Sequence, residues 1–442
     1  MTGGERIGYV GVDVLNNATV CNEASGLLRA GVPLEVVSVY GQERPTFYRD
    51  ETLDDLRRSV NDLFPVAPRE LAHAILAAPF VFGGRFRAML AKAALGPAEG
   101  WRQRLTVLYQ VLPALVLAMR WRGRGIGHIH AHWAHTATSV AMHAAELLGV
   151  GFSFTGHAND LFVHRVGLTA KVRRARFIVC ISEYHRRFYL ALGADPDRLK
   201  VVYCGIDTER FSARGSAPDS PPSPRPRIVA VGRLVEKKGL HDLIAACALL
   251  RDEGTDFECL IAGSGPEHAR LSALIARHKL DGLVRLTGQT VLQEDLPDML
   301  APARAFALPC IRDRDGDMDG LPQVLIEAML CGVPAVSTRL VGIPDIVRPG
   351  ETGLLVEPGD ARALADALGR LLASPDLAAR LGAQGRSWAH AHFGLDEAVG
   401  RLGRLFRWAA SNPGPSAPKL SMPSVPEPDR GPRGAVPAGA SG

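Results

Sequence analysis

Two basic residues stand at the end of an apolar run in the second half of the chain. The segment GRLVEKKG at 232–239 follows the run RIVAV and carries Arg233 and Lys238, with Gly232 available for a tight turn. If the run is a buried strand and the segment opens a helix, both cations can reach an anion above the sheet edge, where helix-start N–H groups add to the field. A solvated basic loop is the alternative interpretation. Because ligands of open α/β sheets bind at the carboxyl ends of the strands, the position of this loop favours the anion-site interpretation enough to keep it as an alternative.

A second glycine-rich turn, GSGP at 263–266, also follows an apolar run. Gly263 and Gly265 would permit close backbone approach by a phosphate or a ribose. Many turns between strands and helices use glycine for geometry alone, so this motif is a weak signal by itself.

The stretch DRDGDMDGLPQVLIEAMLCGVPAV at 313–336 holds most of the acidic candidates. Asp319 and Glu327 flank a Gly-Leu-Pro turn, and Pro322 suits the first position of a helix. The alternating aspartates resemble a calcium loop, but an EF-hand needs glycine at position 6 and glutamate at position 12. Counted from Asp313, those positions hold methionine and valine, so the calcium interpretation fails. The acidic side chains could instead bind sugar hydroxyls.

Three histidines alternate in the run HIHAHWAH at 128–135. His128, His130 and His132 would share one face of a strand, which is a spacing suited to zinc. This metal interpretation competes with one in which the run is simply a strand and loop beside a binding site.

The elements that must position these residues alternate between short apolar strands and longer helical stretches. Continuous apolar strands that alternate with helices predict parallel sheets covered on both faces. In the second half the predicted strands are RIVAVG, ECLIAG, VRLTG, AFALPC and PAVST, and in the first half RIGYVGV, LEVVSVY, HIHAHW, GFSFTG, FIVCIS and LKVVYCG. The fold class is therefore α/β, with two open domains and a ligand crevice at the carboxyl ends of the strands.

Composition sets the domain boundaries. The chain has 442 residues, of which 47% are hydrophobic, so two or three globular domains are expected. Residues 213–226, ARGSAPDSPPSPRP, have the composition of a linker between domains at 1–212 and 227–394. The first domain is expected to be completed by a helix at 395–411. Residues 412–442 contain eight prolines and five glycines and predict a disordered tail.

Charge and cysteine content bear on partners and compartment. The net charge of +5 fits anionic small molecules, whereas nucleic-acid binders cluster their charge far more strongly. Seven scattered cysteines without a C-x-x-C pair indicate reduced thiols and a cytoplasmic protein. No signal peptide or transmembrane run is expected from the sequence.

A basic segment lies at 69–124, where nine lysines and arginines face two glutamates. Apolar helical runs are interleaved with these charges. A basic amphipathic surface suits anionic lipid headgroups, and binding of that kind should weaken as salt rises. The alternative is that the apolar stripes are core and the arginines a solvated face.

The order and spacing of these motifs resemble those of family 4 glycosyltransferases, which are retaining enzymes with two Rossmann-like domains in the GT-B fold. The basic loop, GSGP, the acidic stretch and GIPDIVRPGETGLLVEPGD at 342–360 follow one another in that family's order. CGIDTERF at 204–211 is similar to its interdomain signature, and HAHW and TGHANDLF match its first-domain landmarks. The acidic stretch and NNATVCNEASGLLRAG at 16–31 resemble the branch that makes exopolysaccharides such as colanic acid.

The resemblance implies a role for each matching residue. Arg233 and Lys238 would hold the donor diphosphate, and Glu327 the nucleotide ribose. Asp319 would contact the transferred sugar, where the family usually has glutamate. The remaining implied residues are His157 near the donor; Gly232, Gly263, Gly265, Gly320 and Leu321 around the nucleotide; and Asn22 and His132 on the acceptor side. Catalysis is thus assigned to His157, Asp319 and Glu327.

The resemblance also implies a reaction. A sugar would move from a nucleotide diphosphate donor to a glycan or lipid-linked acceptor, without a metal or other cofactor, at the inner face of the membrane. Two alternatives stay open: a GT-B sugar-nucleotide epimerase, and a degenerate binding protein that has lost turnover. A nicotinamide enzyme is disfavoured because no G-x-G-x-x-G follows the first strand.

Overall fold

The computed structural model describes residues 5–41, 47–48, 54–96, 100–212 and 225–412. Most of the predicted linker at 213–226 and all but the first residue of the predicted tail at 412–442 lie outside these described residues. The chain divides into two compact units. The first contains described residues up to Tyr203 and from Glu397 onward, and the second contains Cys204–Asp396 together with Phe47 and Tyr48.

The first unit is built on a seven-stranded sheet. Its strands are β1 (Arg6–Gly11), β2 (Leu34–Ser38), β3 (Val60–Asp62), β4 (Ile126–His132), β5 (Gly151–Gly156), β6 (Ile178–Cys180) and β7 (Leu199–Val201). They are arranged β3-β2-β1-β4-β5-β6-β7, and every neighbouring pair is parallel. The strand order reverses between β1 and β4, which is where open parallel sheets bind ligands at their carboxyl ends.

Helices cover this sheet. They are α1 (Ala18–Arg29), α2 (Asp54–Ser59), α3 (Pro68–Phe82), α4 (Gly84–Leu95), α5 (Trp101–Tyr109), α6 (Val111–Trp121), α7 (Thr136–Leu148), α8 (Asn159–Phe162), α9 (Leu168–Arg174) and α10 (Glu183–Ala191). The central strands are buried along nearly their whole length, because helices pack on both faces.

The second unit has a six-stranded parallel sheet. Its strands are β8 (Arg227–Val231), β9 (Glu258–Ala262), β10 (Val284–Leu286), β11 (Ala305–Leu308), β12 (Ala335–Thr338) and β13 (Gly353–Val356), in the order β10-β9-β8-β11-β12-β13. Its helices are α11 (Thr208–Ser212), α12 (Leu240–Asp252), α13 (His268–Arg277), α14 (Leu296–Leu300), α15 (Gln323–Leu330), α16 (Ile343–Ile346), α17 (Ala361–Ala373) and α18 (Pro375–His392). The order reverses between β8 and β11, so the basic loop after β8 starts at this second switch point.

The prediction of two parallel-sheet α/β domains is confirmed. Two short edge strands, β3 and β13, were not predicted: β3 has one apolar residue in three, and β13 is an apolar run of only four residues. All seven cysteines lie in the described residues, where they are buried and form no disulfide.

The last helix, α19 (Leu395–Ser411), belongs mostly to the first unit. Phe406 is fully buried, and its ring centre lies 4.8 Å from that of His130 in β4. The Arg176 guanidinium donates a 2.7 Å hydrogen bond to the Ala409 carbonyl and stacks on Trp408. These contacts attach the last helix firmly to the first sheet.

The helices α3, α4 and α5 differ from the rest because they expose apolar side chains. Leu76 is 71% exposed, Phe80 89%, Leu95 84% and Trp101 68%. No single helix in the described ranges is long and apolar enough to cross a membrane; α3 and α4 meet that length and composition only as a pair, bent by 114°.

Candidate functional site

The basic loop of the second unit connects β8 to α12. Its last residue, Gly239, has a φ of 63°, and a Cβ there would lie 1.8 Å from the Pro309 carbonyl oxygen. Only glycine therefore allows α12 to begin so close to the end of β11. Within the loop Arg233 is exposed, whereas Lys237 is buried and Lys238 is partly buried.

Both lysines of this loop are paired with the acidic stretch. Lys238 Nζ lies 2.7 Å from Asp319 Oδ2. Lys237 Nζ lies 2.8 Å from Asp317 Oδ2 and 3.5 Å from Asp319 Oδ1. The Cys310 thiol donates a 3.3 Å hydrogen bond to Asp319 Oδ2. The structure thus brings two predicted site residues, Lys238 and Asp319, into direct contact.

These contacts decide the ionisation of the pair. Burial by itself raises the pKa of the Asp319 carboxyl, but the ammonium groups of Lys238 and Lys237 outweigh burial and lower that pKa to about 2. Burial lowers the pKa of Lys238, yet Asp319 more than offsets it, so that the pKa of Lys238 is raised. Both groups are therefore charged at neutral pH.

Another aspartate of the acidic stretch, Asp313, stabilises the loop itself. Asp313 Oδ1 accepts hydrogen bonds from the N–H groups of Asp315 at 3.0 Å and Asp317 at 2.8 Å. A side-chain oxygen that closes a turn in this way is satisfied by the backbone. The alternating pattern thus separates into Asp313, which shapes the turn, and Asp317 and Asp319, which pair with lysines.

The glycines of GSGP allow two strand-end loops to pack backbone against backbone. A Cβ at Gly263 would lie 1.8 Å from the Gly232 carbonyl oxygen, and one at Gly265 would lie 2.5 Å from the Leu234 carbonyl oxygen. At these two positions it is the backbone of the neighbouring basic loop that approaches the glycines closely. A nucleotide role for Gly232, Gly263 and Gly265 stays a prediction.

Glu327 is the fifth of the eight residues of α15 and is 4% exposed. Burial raises the pKa of its carboxyl to about 7, against the opposing effects of Arg210, of a hydrogen bond with Gln293 and of Lys238. Arg210 in turn donates to Gln293 Oε1 at 3.0 Å. A carboxyl that is half-ionised near neutral pH can take up its charge when hydroxyl donors arrive.

Two further predicted residues come just before α15. Gly320 accepts a 3.1 Å hydrogen bond from the N–H of Gly342 through its carbonyl, and Leu321 is 8% exposed. Both therefore lie on the turn that joins Asp319 to the helix of Glu327.

The first unit carries its own cluster at the ends of β4 and β5. His132 is the last residue of β4, and His157 directly follows β5. His132 Nδ1 lies 3.1 Å from His157 Nε2, and His132 Nε2 lies 2.9 Å from Glu23 Oε1. Tyr9 OH lies 2.7 Å from His132 Nε2 and 3.0 Å from Glu23 Oε1. Asn22, predicted on the acceptor side, precedes Glu23 in α1.

The loop that carries His157 is fixed by buried polar groups. The fully buried Asp160 carboxylate accepts from the N–H groups of Ala134 at 2.6 Å, His157 at 3.1 Å and Ala158 at 2.9 Å. His185 Nε2 donates to the His157 carbonyl at 2.8 Å. Burial lowers the pKa of His185 to about 4, so its ring is neutral at pH 7.

The other histidines of the run have hydroxyl partners. Ser153 Oγ lies 2.8 Å from both His128 Nε2 and His130 Nδ1, and Thr155 Oγ1 lies 3.1 Å from His130 Nε2. Of the described residues, Glu23, His130 and His132 have ligand atoms close enough together to hold a metal ion. The predicted absence of a metal requirement is not tested by this geometry.

Sequence reasoning missed several residues of both clusters. Glu23, Asp160, Lys237 and Gln293 contact predicted residues, and Arg210 contacts Gln293 and lowers the pKa of Glu327 through its charge. Asp160 lies within the motif TGHANDLF and Lys237 within GRLVEKKG. Both motifs were recognised in the sequence, but no role was predicted for these two residues. Gln293 lies in an irregular stretch without any motif.

Two family models match the chain. The model described as "Glycosyltransferase Family 4" matches residues 17–210, and "Glycosyl transferases group 1" matches residues 216–388. Between them they cover both units.

Among curated proteins, the chain is similar to a putative colanic acid biosynthesis glycosyltransferase, WcaL, of Escherichia coli. The two are 39% identical over 196 residues, which are 44% of this chain and 47% of WcaL. The amylovoran biosynthesis glycosyltransferase AmsK of Erwinia amylovora is also 39% identical, over 43% of this chain and 46% of AmsK. The chain thus spans about half the length of the curated relatives it matches.

Solved structures match over nearly the whole length. Sucrose-phosphate synthase from Thermosynechococcus elongatus superposes with a TM-score of 0.68 at 21% identity, over 92% of this chain and 99% of that one. Anabaena HepE, solved in complex with UDP and glucose, gives 0.66 at 17% identity over 90% and 98%. At these identities the likeness establishes the fold.

Proposed function

Because this chain belongs to the family 4 glycosyltransferases and has their GT-B fold, we propose that it transfers a sugar from a nucleotide diphosphate donor to a glycan or lipid-linked acceptor. The product would be an exopolysaccharide or another cell-surface polysaccharide, as the names of WcaL and AmsK suggest. The observation that carries the proposal is the cationic loop at the switch point of the second sheet. There Lys238 pairs with the Asp319 carboxylate, and both Arg233 and the buried Glu327 are close enough to Lys238 to interact with its charge.

The charge balance of this loop supports diphosphate binding. The positive charge of Arg233 is close enough to Lys238 to lower the pKa of that lysine, and Lys237 adds a third cation. Asp319 and Asp317 neutralise the two lysines in the ligand-free protein. A diphosphate would bring the additional negative charge that three neighbouring cations accommodate.

We infer a retaining reaction, in which acceptor attack and donor departure occur on the same face of the sugar. The acceptor oxygen bonds to the anomeric carbon as the bond from that carbon to the diphosphate oxygen breaks. The acceptor's proton passes to the departing phosphate. Arg233 and Lys238 stabilise the charge on the leaving diphosphate, while Glu327 holds the ribose.

The experiment that tests this function begins with a thermal-shift screen of nucleotide sugars on the full chain. A donor that binds the native state raises the melting temperature by mass action. The donor found is then incubated with and without glycan acceptors, and the products are identified by mass spectrometry.

The outcomes separate the proposal from its two rivals. Acceptor-dependent release of nucleoside diphosphate with a glycosylated product supports transfer. Conversion of the donor to another nucleotide sugar without acceptor would identify an epimerase. Donor binding without any conversion would identify a degenerate binding protein.

We also propose that the first unit makes peripheral contact with an anionic membrane at the cytoplasmic face, where a lipid-linked acceptor would lie. The exposed apolar side chains of α3, α4 and α5 support this, since large apolar patches on a soluble surface mark interaction sites. Basic side chains of the same segment would face the headgroups.

A further inference from the structure

His157 is held at three separate points. Asp160 accepts its backbone N–H at 3.1 Å, His185 donates to its carbonyl oxygen at 2.8 Å, and His132 Nδ1 lies 3.1 Å from its ring Nε2. Within the part of the chain that the structure describes, no hydrogen bond reaches the other ring nitrogen, Nδ1. The residue is partly exposed, so Nδ1 is the polar atom that the fold leaves for a ligand.

The hydrogens of the neighbouring cluster can be counted. Tyr9 OH, His132 Nε2 and Glu23 Oε1 lie within 3.0 Å of one another. An ionised carboxylate has no hydrogen to give, so both of its neighbours must donate. Tyr9 therefore donates its hydroxyl hydrogen to Glu23, and His132 must carry its proton on Nε2. If His132 Nε2 carried no proton, its lone pair would face the Glu23 carboxylate oxygen at 2.9 Å, which is repulsive.

This assignment determines the next hydrogen bond. A neutral imidazole has one N–H and one lone pair, so a neutral His132 that carries its proton on Nε2 has its lone pair on Nδ1. With the proton of His132 on Nε2, its Nδ1 is an acceptor. The contact at 3.1 Å must then be donated by His157 Nε2–H. The Nδ1 of His157 is left unprotonated, with its lone pair free.

His157 itself stays neutral. Burial lowers the pKa of its ring well below the usual range, and the neighbouring His132, His185 and His135 lower it further. A second proton on Nδ1 is therefore disfavoured at neutral pH, and the ring keeps one donor and one acceptor.

We propose that Glu23 and His132 are positioning residues that hold His157 in the tautomer with an unprotonated Nδ1, which accepts a hydrogen bond from a sugar hydroxyl. The contact with sugar rests on the proposed glycosyltransferase function, whereas the tautomer follows from the first unit alone. This arrangement selects a neutral hydroxyl, because an unprotonated nitrogen repels an oxyanion and cannot act as an acid.

The tautomer is measured by nitrogen NMR on the full chain labelled with ¹⁵N-histidine, at pH 8 and without ligand. The two ring nitrogens of each neutral histidine differ strongly in chemical shift according to which one carries the proton. His157→Asn assigns the signals of His157 by their loss. We expect Nε2 of His157 to be the protonated nitrogen and Nδ1 the unprotonated one.

Two changes at Glu23 test whether the tautomer depends on it. Glu23→Gln is nearly isosteric and can donate as well as accept, and Glu23→Met can do neither. Both remove the charge that requires a proton on His132 Nε2, so the Nδ1-protonated form of His157 should gain population. Glu35→Gln is the matched control, since Glu35 pairs with Arg124 in the same unit, and it should leave the spectrum of His157 unchanged.

Either of two results overturns the inference: a protonated Nδ1 in the wild-type chain, or an unchanged tautomer in both Glu23 variants that still give the wild-type circular dichroism spectrum. Neither result depends on catalysis, so the effect of Glu23 and His132 on the His157 tautomer is tested separately from the proposed function.

A kinetic measurement then tests the sugar contact. With the donor found by thermal shift, Glu23→Gln should lower kcat about tenfold, the effect of roughly one hydrogen bond, with little change in donor KM. A variant with the altered tautomer but wild-type kcat would show that His157 does not accept from the reacting sugar.

Discussion

Lys238 and Asp319 form an ion pair in the second domain, with Nζ 2.7 Å from Oδ2. The residue expected to bind the donor diphosphate is thus held by the residue expected to contact the donor sugar. Asp319, with its pKa near 2, stays ionised across the physiological range. If a diphosphate binds here as proposed, it meets a cation that already has an anionic partner, and the two anions must share it.

The first prediction concerns the cations. Arg233→Ala or Lys238→Ala should each lower kcat/KM by about 100-fold or more, the typical effect of losing one preorganised donor to a developing anion. Arg362→Ala, which removes an exposed arginine from α17, is the control and should be near wild type. Steady-state kinetics would contradict the diphosphate assignment if both loop variants kept wild-type turnover.

The second prediction concerns the shared cation. Asp319→Asn removes the carboxylate that competes for Lys238, so nucleoside diphosphate should bind about tenfold more tightly while kcat falls. Asp315→Asn makes the same charge change at an exposed position of the same loop and should alter affinity little. Isothermal titration that gave weaker binding to Asp319→Asn would rule out competition.

The third prediction concerns the pH dependence of donor binding. The pKa of Glu327 is raised to about 7, and ribose hydroxyls donate best to its ionised form. Affinity for a nucleotide sugar, whose phosphates do not titrate in this range, should therefore rise from pH 6 to pH 8. Glu327→Gln should bind more weakly and lose this dependence. An equal pH profile in the variant would refute the ribose role.

The same carboxyl has a defined effect on stability. Its folded pKa lies above its unfolded value, so its contribution to stability is complete below about pH 4.5 and is lost as pH rises through 7. The melting temperature of Glu327→Gln relative to the wild type should therefore be higher at pH 8 than at pH 5.

The fourth prediction concerns metals. Because Arg233, Lys237 and Lys238 are proposed to supply the positive charge that stabilises the diphosphate, turnover should persist in EDTA. The check is activity after chelation and dialysis. Loss of turnover that added Mg²⁺ or Zn²⁺ restores would instead point to the acidic stretch or to Glu23, His130 and His132.

The fifth prediction concerns the membrane surface. Lys92 and Arg120 are already paired with protein carboxylates, whereas Leu76 and Phe80 are largely exposed. Binding to anionic vesicles should thus weaken but persist in 1 M salt, where the Debye length is only about 3 Å. Sedimentation should show that Phe80→Asp, but not Arg362→Ala, loses the salt-resistant part.

Two results would contradict an apolar contribution to vesicle binding. One is an equal loss of binding in both variants, and the other is complete release of the wild type by salt, which would indicate a purely electrostatic interaction. Binding that disappeared when residues 412–442 were deleted would place the anchor in the tail.

The sequence predicted the fold well where local pattern decides structure. Strands such as Glu258–Ala262 and the helix of Glu327 were located to within a residue or two, because buried parallel strands are continuously apolar and end at glycines. The edge strand Val60–Asp62 was not predicted because its exposed polar residues lack that pattern, and Gly353–Val356 was not predicted because its apolar run is only four residues long.

The sites were predictable only in part. Motif spacing located Lys238 and Asp319, yet their ion pair depends on how two loops 81 residues apart fold back on the same sheet edge. Glu23 was missed for the same reason: a helix 109 residues earlier in the chain brings it to His132, and no local pattern encodes that contact.

The attachment of the last helix to the first sheet has a consequence for biosynthesis. The ribosome releases the strands of the first sheet long before Phe406 and Ala409, which cover His130 and Arg176. The nascent first domain must therefore wait, with this face uncovered, while nearly two hundred further residues are made. We expect that interval to be the period in which the polypeptide depends most on chaperones, and an early stop codon before residue 397 to yield an aggregating fragment rather than a free-standing domain.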